Sequence, residues 1–593
     1  MTYDLVLLHA PSVYDFRKTV QLTGPVADVI PSTAVFEMYP VGFTSMAGYL
    51  ERYGYAVLIV NLANRMVADP RFDVEKKIKG LHARAFGIDL HWMPHAHGSI
   101  EIAKLVKQHH PDVPVIFGGL SSTYFHKELM EYSAIDFVMR GDSTEPPLLS
   151  LVQHIQAGAT DFSGVPNLTW RRDGQTIINP LSYVPTTLDE VDVPDYRYAM
   201  RSAFKYWHFR DMLPYREWVD YPNTMLLTVR GCTQGCLLCG GSRGAYALNC
   251  QRQHVAMRSP AKLVEDVKFI QRFSRAPIFF IGDIRQGGGP YVHDLFDRLS
   301  RTRLRNDLVF ELFQKADADF FARLYHAVPH YSLEITLESS NEATRRLIGK
   351  FVESNEKLIS TLRAALENGA KKIDLFFMVG LPHQTYQDAL KNVEFCETLY
   401  NAVGGDPRVT YFIAPLAPFL DPASTAFEYP ERYGYHKLFE RFEDYRQALL
   451  EPSWKYTLNY ETDAMTRNDI VRATYDSARM LNAFKFRHHL IDGAVYWDVD
   501  EKITEAVAYL QAVDQILQGP LEQRQVLLGD LRDRTLSANG AEICGDRELR
   551  WKVRHNYAGP LSLLWVGFTL LAGEIWREAQ LTGHRLLNVE ERS

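Results

Sequence analysis

Short apolar runs recur through the first part of the chain at Leu5–His9, Ala56–Asn61, Ala83–Ile88, Val113–Phe117 and Phe137–Arg140, each followed by a stretch of helix length. Apolar runs of this length between helices read as strands covered on both faces, so residues 1–155 are predicted to form a doubly wound, Rossmann-like parallel sheet. Ligands of such sheets bind outside the carboxyl ends of the strands. The turns Gly118-Gly119-Leu120-Ser121-Ser122 and Arg140-Gly141-Asp142 fall at those ends.

The rhythm stops over residues 156–221, which are rich in Pro, Asp, Tyr and Arg and read as a linker wrapping between two domains. A second series of apolar runs follows at Met225–Val229, Ile278–Ile281, Val309–Leu312, Leu333–Thr336, Ile373–Val379 and Thr410–Ala414. Six strands separated by helix-length segments predict a partial (β/α)6 barrel over residues 222–425, with its chemistry at the strands' carboxyl ends. Pro418-Phe419-Leu420-Asp421-Pro422 ends that series. Residues 426–593 read as a mostly helical C-terminal region, a candidate substrate-binding element, in which Trp454, Tyr456, Tyr460, Arg467, Tyr475, Phe484, Phe486 and Arg487 are either core or pocket lining.

Composition narrows the classes. A length of 593 residues implies two or three domains. A net charge of −7 offers no general attraction for nucleic acid, and none is expected as a partner. The first strand carries Asp4 and lacks a basic flank, so it is read as a strand and not a signal peptide, with a cytoplasmic location expected. The apolar run Leu561–Gly573 is shorter than the roughly 20 residues needed to span a bilayer, so a buried helix and no transmembrane segment are expected there. It also suits a wall for a lipid-like substrate.

Three of the six cysteines fall within one short loop, Cys232-x3-Cys236-x2-Cys239, directly after an apolar strand. Three thiolates on a tight loop can each hold one iron of a [4Fe–4S] cluster and leave the fourth iron open to a ligand. The alternative is a structural zinc site completed by Cys250 or a histidine. Cys396 and Cys544 have no ligand spacing and read as buried thiols.

This loop after the first barrel strand resembles the signature of the radical SAM superfamily, and the resemblance covers about residues 222–425. It implies that the open iron chelates S-adenosylmethionine and that electron transfer yields a 5′-deoxyadenosyl radical, with the electron coming from an external flavodoxin- or ferredoxin-type donor. Gly282-Asp283 resembles the family's motif for the methionine amino group, Glu338-Ser339 its strand-four contact to ribose and carboxylate, and the segment with Gly380 and Pro382 its strand-five contact near adenine. Two positions depart from the pattern: Leu238 stands where an aromatic is common, and Asp283 where a glutamate is usual.

The α/β domain ahead of the barrel resembles the cobalamin-binding domain of class B radical SAM enzymes, on Pro40-Val41-Gly42, on Gly118, Gly119 and Ser121, and on Arg140 and Gly141. The resemblance implies cobalamin as a third cofactor. Asp89-Leu90-His91 is followed by Trp92-Met93-Pro94 and so lacks the glycine of the Asp-x-His-x-x-Gly cobalt-ligand loop; no cobalt ligand is carried over, and His91, His95 and His97 are placed near the lower corrin face or on an interdomain loop. The implied activity is methylation of an unactivated carbon or phosphorus centre in a small-molecule or lipid-like substrate. Ring formation, oxidative rearrangement or hydroxylation with the same cofactors is the second reading, and a non-catalytic iron–sulfur or corrinoid protein the third.

Overall fold

The computed structural model describes residues 2–25, 35–191, 208–416, 419–538 and 543–553, with isolated positions between 557 and 572. Its N-terminal sheet contains β1 (Leu5–His9), β2 (Val57–Asn61), β3 (Phe86–Asp89), β4 (Val115–Gly118), β5 (Phe137–Met139), β6 (Leu168–Arg172) and β7 (Gln175–Ile178), in the order β2-β1-β3-β4-β5-β6-β7. β1 to β5 are parallel, and every residue of β1, β2 and β3 is buried, as strands with helices on both faces must be. The chain reverses direction across the sheet between β1 and β3, which is where a doubly wound fold opens its ligand crevice.

The expectation of an irregular linker is corrected in part. β6 and β7 form an antiparallel hairpin that extends the first sheet beyond β5. The pattern hid them because β7 is mostly exposed and β6 carries Arg171 and Arg172 at its end. Positions 192–207 of that segment lie outside the described residues.

The second sheet is built from β8 (Thr224–Leu227), β11 (Ile278–Ile281), β12 (Leu308–Glu311), β13 (Tyr331–Glu338), β14 (Ile373–Val379) and β15 (Val409–Pro415), all parallel and in the order β15-β14-β13-β12-β11-β8. This is the expected six-stranded partial barrel. Between β8 and β11, β9 (Val229–Arg230) pairs antiparallel with β10 (Ala256–Met257) and brackets the cysteine loop. Beyond β15 the chain is mainly helical, with a small antiparallel pair, β16 (Tyr435–Lys437) and β17 (Tyr460–Thr462). Trp454, Tyr460, Tyr475 and Phe484 are buried core, which decides their alternative.

The expectation of a buried helix at Leu561–Gly573 is not met at its described positions. Leu561, Leu564, Trp565 and Phe568 are 66–83 % exposed, because no described element packs over them. Among the described residues no helix is long and apolar enough to cross a membrane.

Candidate functional site

A cavity of about 460 Å³ lies between the carboxyl ends of the two sheets. One wall is the cysteine loop with the rim of the second sheet: Cys232, Cys236, Cys239, Gly282, Gln286, Glu311, Phe313 and Lys350. The other wall is the end of the first sheet: Asp89, His91, Gly118, Gly119, Gly141 and Asp142. Both groups of residues come from turns that follow strands, as ligand sites in parallel βα folds do.

The cavity continues as an apolar slot along one face of the first sheet. Strand register places Leu7, Gly87 and Ile116 in one row, and Asp89, Gly118 and Met139 at the next step along the same face. Side chains alternate along strands, so Leu5 lies on this face as well. Phe43 and Met46 of helix Gly42–Arg52 and Leu148 of helix Glu145–Gln156 line the slot from the other side. Gly118 keeps it open, since a Cβ there would find nothing closer than 3.8 Å.

The cysteine loop is fixed by its backbone. Ser242 caps helix Arg243–Cys250 by accepting from Ala245 N, while Arg243 N donates to Gln234 O at 2.8 Å and Leu237 N to Ile348 O at 2.8 Å. Amides already point at sulfur: Gln234 N lies 3.3 Å from Cys232 Sγ and Gly241 N 3.3 Å from Cys239 Sγ. Burial raises all three thiols, Cys236 to about 11 and Cys239 to about 12, so the apo loop is protonated at neutral pH. A bound metal removes those protons.

Cys250 is buried at the end of its helix and does not line the cavity, so the fourth ligand of the zinc alternative is not supplied from there. Among the described residues no group of three His, Cys, Asp or Glu is gathered around one metal position. A cluster needs no such convergence, because each thiolate takes its own iron.

The other expected residues divide. Asp283 does not line the cavity; its carboxylate accepts from Arg285 Nε at 2.9 Å and Phe313 N at 3.0 Å and so braces two loops. The acid that reaches the cavity beside Gly282 is Glu311 at the end of β12, which accepts from Gly282 N and which burial raises. Glu338 is buried at φ +66° with Oε2 unpartnered, and Lys350 Nζ is 3.9 Å from its Oε1. Ser339 bonds locally, its Oγ accepting from Asn341 N at 3.1 Å. Gly380 is covered by the C-terminal pair: a Cβ would meet Tyr460 Oη at 2.5 Å, and Tyr435 Oη donates to its carbonyl at 2.8 Å. Pro382 is buried and, like Gly380, outside the cavity wall. Arg140 and Ser121 are buried beside the first crevice; Arg140 donates to Asn179 O and ties β5 to the β6–β7 hairpin. Of the segment after β15, 417 and 418 lie outside the described residues, while Asp421 accepts from Gly240 N at 3.0 Å and so reaches back to the cysteine loop.

Glu311, Lys350 and Arg230 were not legible in the sequence. Lys350 stands twelve residues beyond β13 (338 to 350) and reaches the cysteines only through the fold. Burial pulls its ammonium down, but Glu338 and the thiols of Cys236 and Cys239 hold it above its ordinary value.

Residues 27–149 match the B12 binding domain family and residues 226–396 the radical SAM superfamily. Cytidylyl-2-hydroxyethylphosphonate methyltransferase of Streptomyces wedmorensis is 27 % identical over 262 residues, which cover 39 % of this chain and 48 % of that protein. The match thus spans about half the length of that curated relative. The structure of the radical S-adenosylmethionine methyltransferase TsrM from Kitasatospora setae, with cobalamin and a [4Fe–4S] cluster bound, superposes with a TM-score of 0.54 at 15 % identity, covering 83 % of this chain and 90 % of that one. The cobalamin-dependent S-adenosylmethionine radical enzyme OxsB, with aqua-cobalamin and S-adenosylmethionine bound, gives 0.53 at 13 %, covering 99 % and 81 %. At these identities the structural likeness is one of fold.

Proposed function

The chain belongs to the cobalamin-binding-domain-containing radical SAM family, and from that premise we propose that it is a cobalamin-dependent radical SAM methyltransferase acting on an unactivated carbon or phosphorus centre of a small molecule. The observation that carries the reading is the single cavity whose walls are three cysteines on one side and the strand ends and slot of a doubly wound sheet on the other.

The residues fit the implied groups. Cys232, Cys236 and Cys239 would hold a [4Fe–4S] cluster, with backbone amides already directed at Cys232 and Cys239. Gly282, Glu311 and Lys350 would face the polar end of S-adenosylmethionine, offering close backbone approach, an acceptor and a cation. The slot along Leu5, Leu7, Ile116 and Met139 suits the nucleotide tail of cobalamin, and the rim at Gly118, Gly119 and Gly141 the corrin edge. When bound, these cofactors supply hydrogen abstraction by a carbon radical and a transferable methyl group. The chain's own work is placement. Two buried ion pairs join the walls, Arg230 to Glu145 and Arg252 to Asp142, and fix the distance across which a substrate must meet both cofactors.

Anaerobic reconstitution of the full chain with iron, sulfide and hydroxocobalamin tests the reading. About four irons and one corrinoid per chain are expected, with 5′-deoxyadenosine formed under reduction and a mass gain of one methyl group on the substrate. Cys232→Ala, Cys236→Ala and Cys239→Ala remove iron and 5′-deoxyadenosine but leave the corrinoid. Product formation without the methyl mass gain would favour the ring-forming or oxidative alternative, and absence of 5′-deoxyadenosine from the loaded chain would exclude radical chemistry.

A further inference from the structure

The carboxyl end of the first sheet holds a chain of three side chains that the reading above does not use. At the final residues of β1 and β3, His9 Nδ1 is 2.9 Å from Asp89 Oδ1, and His91 Nδ1, on the loop beyond β3, is 2.6 Å from Asp89 Oδ2. Asp89 therefore binds both imidazoles at the point where the sheet opens its crevice.

Hydrogen-bond accounting assigns the protons. His9 Nε2 lies 3.0 Å from the Phe36 carbonyl, so the ring is held at both nitrogens, by Asp89 and by the backbone. His91 spends its one N–H on Asp89, which places the lone pair on Nε2. His91 lines the cavity and is 29 % exposed, and with Nδ1 turned to Asp89 the nitrogen left for the cavity is Nε2.

The loop that carries His91 is held tightly. Leu90 N donates to Gly118 O at 2.8 Å, Ser122 N to Leu90 O at 3.1 Å and Ser99 Oγ to Asp89 O at 2.8 Å. Gly119 takes φ +113°, and a Cβ there would stand 2.5 Å from His91 Cα. The neighbouring histidines are otherwise engaged. His95 is 1 % exposed with Nδ1 3.0 Å from the Ala10 carbonyl, and His97 accepts from Tyr14 N at 3.3 Å; neither lines the cavity.

We propose that His91 is the axial ligand this chain offers to cobalt from the sheet side, through Nε2, and that Asp89 and His9 are positioning residues that fix its tautomer and direction. The inference rests on the cobalamin reading above. A ligating histidine ordinarily donates its second ring N–H to a carboxylate or carbonyl, which orients the ring and raises its basicity. Here that partner is in place, Asp89 is itself held by His9 at 2.9 Å, and the slot beneath has room for the nucleotide tail away from the metal.

The test uses the full chain with its cluster kept oxidised and cob(II)inamide, a corrinoid without the nucleotide base, in imidazole-free buffer. Bound corrinoid is counted after gel filtration, and its electron paramagnetic resonance spectrum is recorded frozen. Nitrogen-14 has nuclear spin one, so a ligating histidine splits each resolved cobalt line into three. The expected result is this triplet, its collapse to a doublet when histidine is labelled with nitrogen-15, its loss in His91→Gln with corrinoid still bound, and its retention in His95→Gln. The labelling arm needs no variant and stands even if His91→Gln folds poorly. Unsplit lines from bound corrinoid, or a triplet that survives in His91→Gln, overturn the ligand assignment alone. Failure of the chain to bind either cobinamide or cobalamin overturns the cobalamin reading itself.

Discussion

Arg230 Nη2 lies 2.9 Å from Glu145 Oε1, and this pair joins the cysteine loop to the first sheet. Arg230 stands on β9, two residues before Cys232; Glu145 opens the helix after β5 and also accepts from Ser45 Oγ at 2.7 Å. Side-chain exposures of 11 % and 2 % place the pair in the interior, where the loss of one partner strands a charge.

Glu145→Ala or Arg230→Ala is accordingly expected to cost about 3–5 kcal/mol, read as a lowered urea midpoint, with faster corrinoid release. Replacing both by apolar residues of similar size, Arg230→Met with Glu145→Leu, removes the stranded charge and recovers most of that loss. A double variant no more stable than either single would show that the pair is not the source of the effect.

Burial of the thiols predicts how the apo loop reacts. Cys236 is raised to about 11, so at pH 8 its thiolate is a few hundred-fold scarcer, on the order of 10², than at an ordinary cysteine of about 8.5. Alkylation of Cys236 in the iron-free chain should be slow at pH 8 and climb through pH 10–11. The sign for stability follows. The unfolded thiol ionises at about 8.5, before the folded one, so the apo chain loses stability as pH rises from there toward 11. Cluster-loaded protein should lack that pH-dependent loss. Rapid alkylation at pH 8 would contradict the burial.

The slot along the first sheet gives a separation of corrinoids. Met139→Trp adds bulk at the end of β5, in the row with Gly118, and is expected to prevent cobalamin from seating its nucleotide tail while cobinamide, which has none, still binds. Overpacking there costs about 1–3 kcal/mol, which leaves the fold intact. Equal loss of both corrinoids, measured by equilibrium dialysis, would place the tail elsewhere.

How much of this was legible in the sequence depends on what each residue answers to. Ile278–Ile281 and Ile373–Val379 were found at their observed bounds because strands buried on both faces are continuously apolar. The cysteine loop was legible because its chemistry requires local spacing. β6 and β7 were missed because a half-exposed hairpin at a sheet edge carries no such run. Glu311 and Lys350 were missed for another reason: they meet the cysteines only after β12 and β13 pair, and no local pattern marks a residue whose partner is a hundred positions away. Asp283 shows the converse, a motif-like acid that the fold spends on Arg285.

Lys350 supports the last prediction. A cation that shares a cavity with three cluster-bound thiolates favours the reduced cluster, because reduction adds negative charge. At an effective dielectric of about 20 one unit charge is worth about 4 kcal/mol at about 4 Å and half that at twice the distance, a scale on the order of 100 mV. Lys350→Met is expected to lower the cluster potential by up to that amount, read by redox titration of the reduced cluster's paramagnetic signal, and Lys350→Arg to change it little. Glu338 modulates the effect. Burial already raises its carboxyl, and Lys350 is the charge that opposes this. With the lysine gone, Glu338 takes up a proton as pH falls, and one negative charge disappears along with the positive one. The drop in potential should therefore be larger at higher pH and shrink as the pH falls in Lys350→Met. In Lys350→Met/Glu338→Gln it should be small at every pH. A single variant whose shift is independent of pH would show that Glu338 is not coupled to the cluster through Lys350.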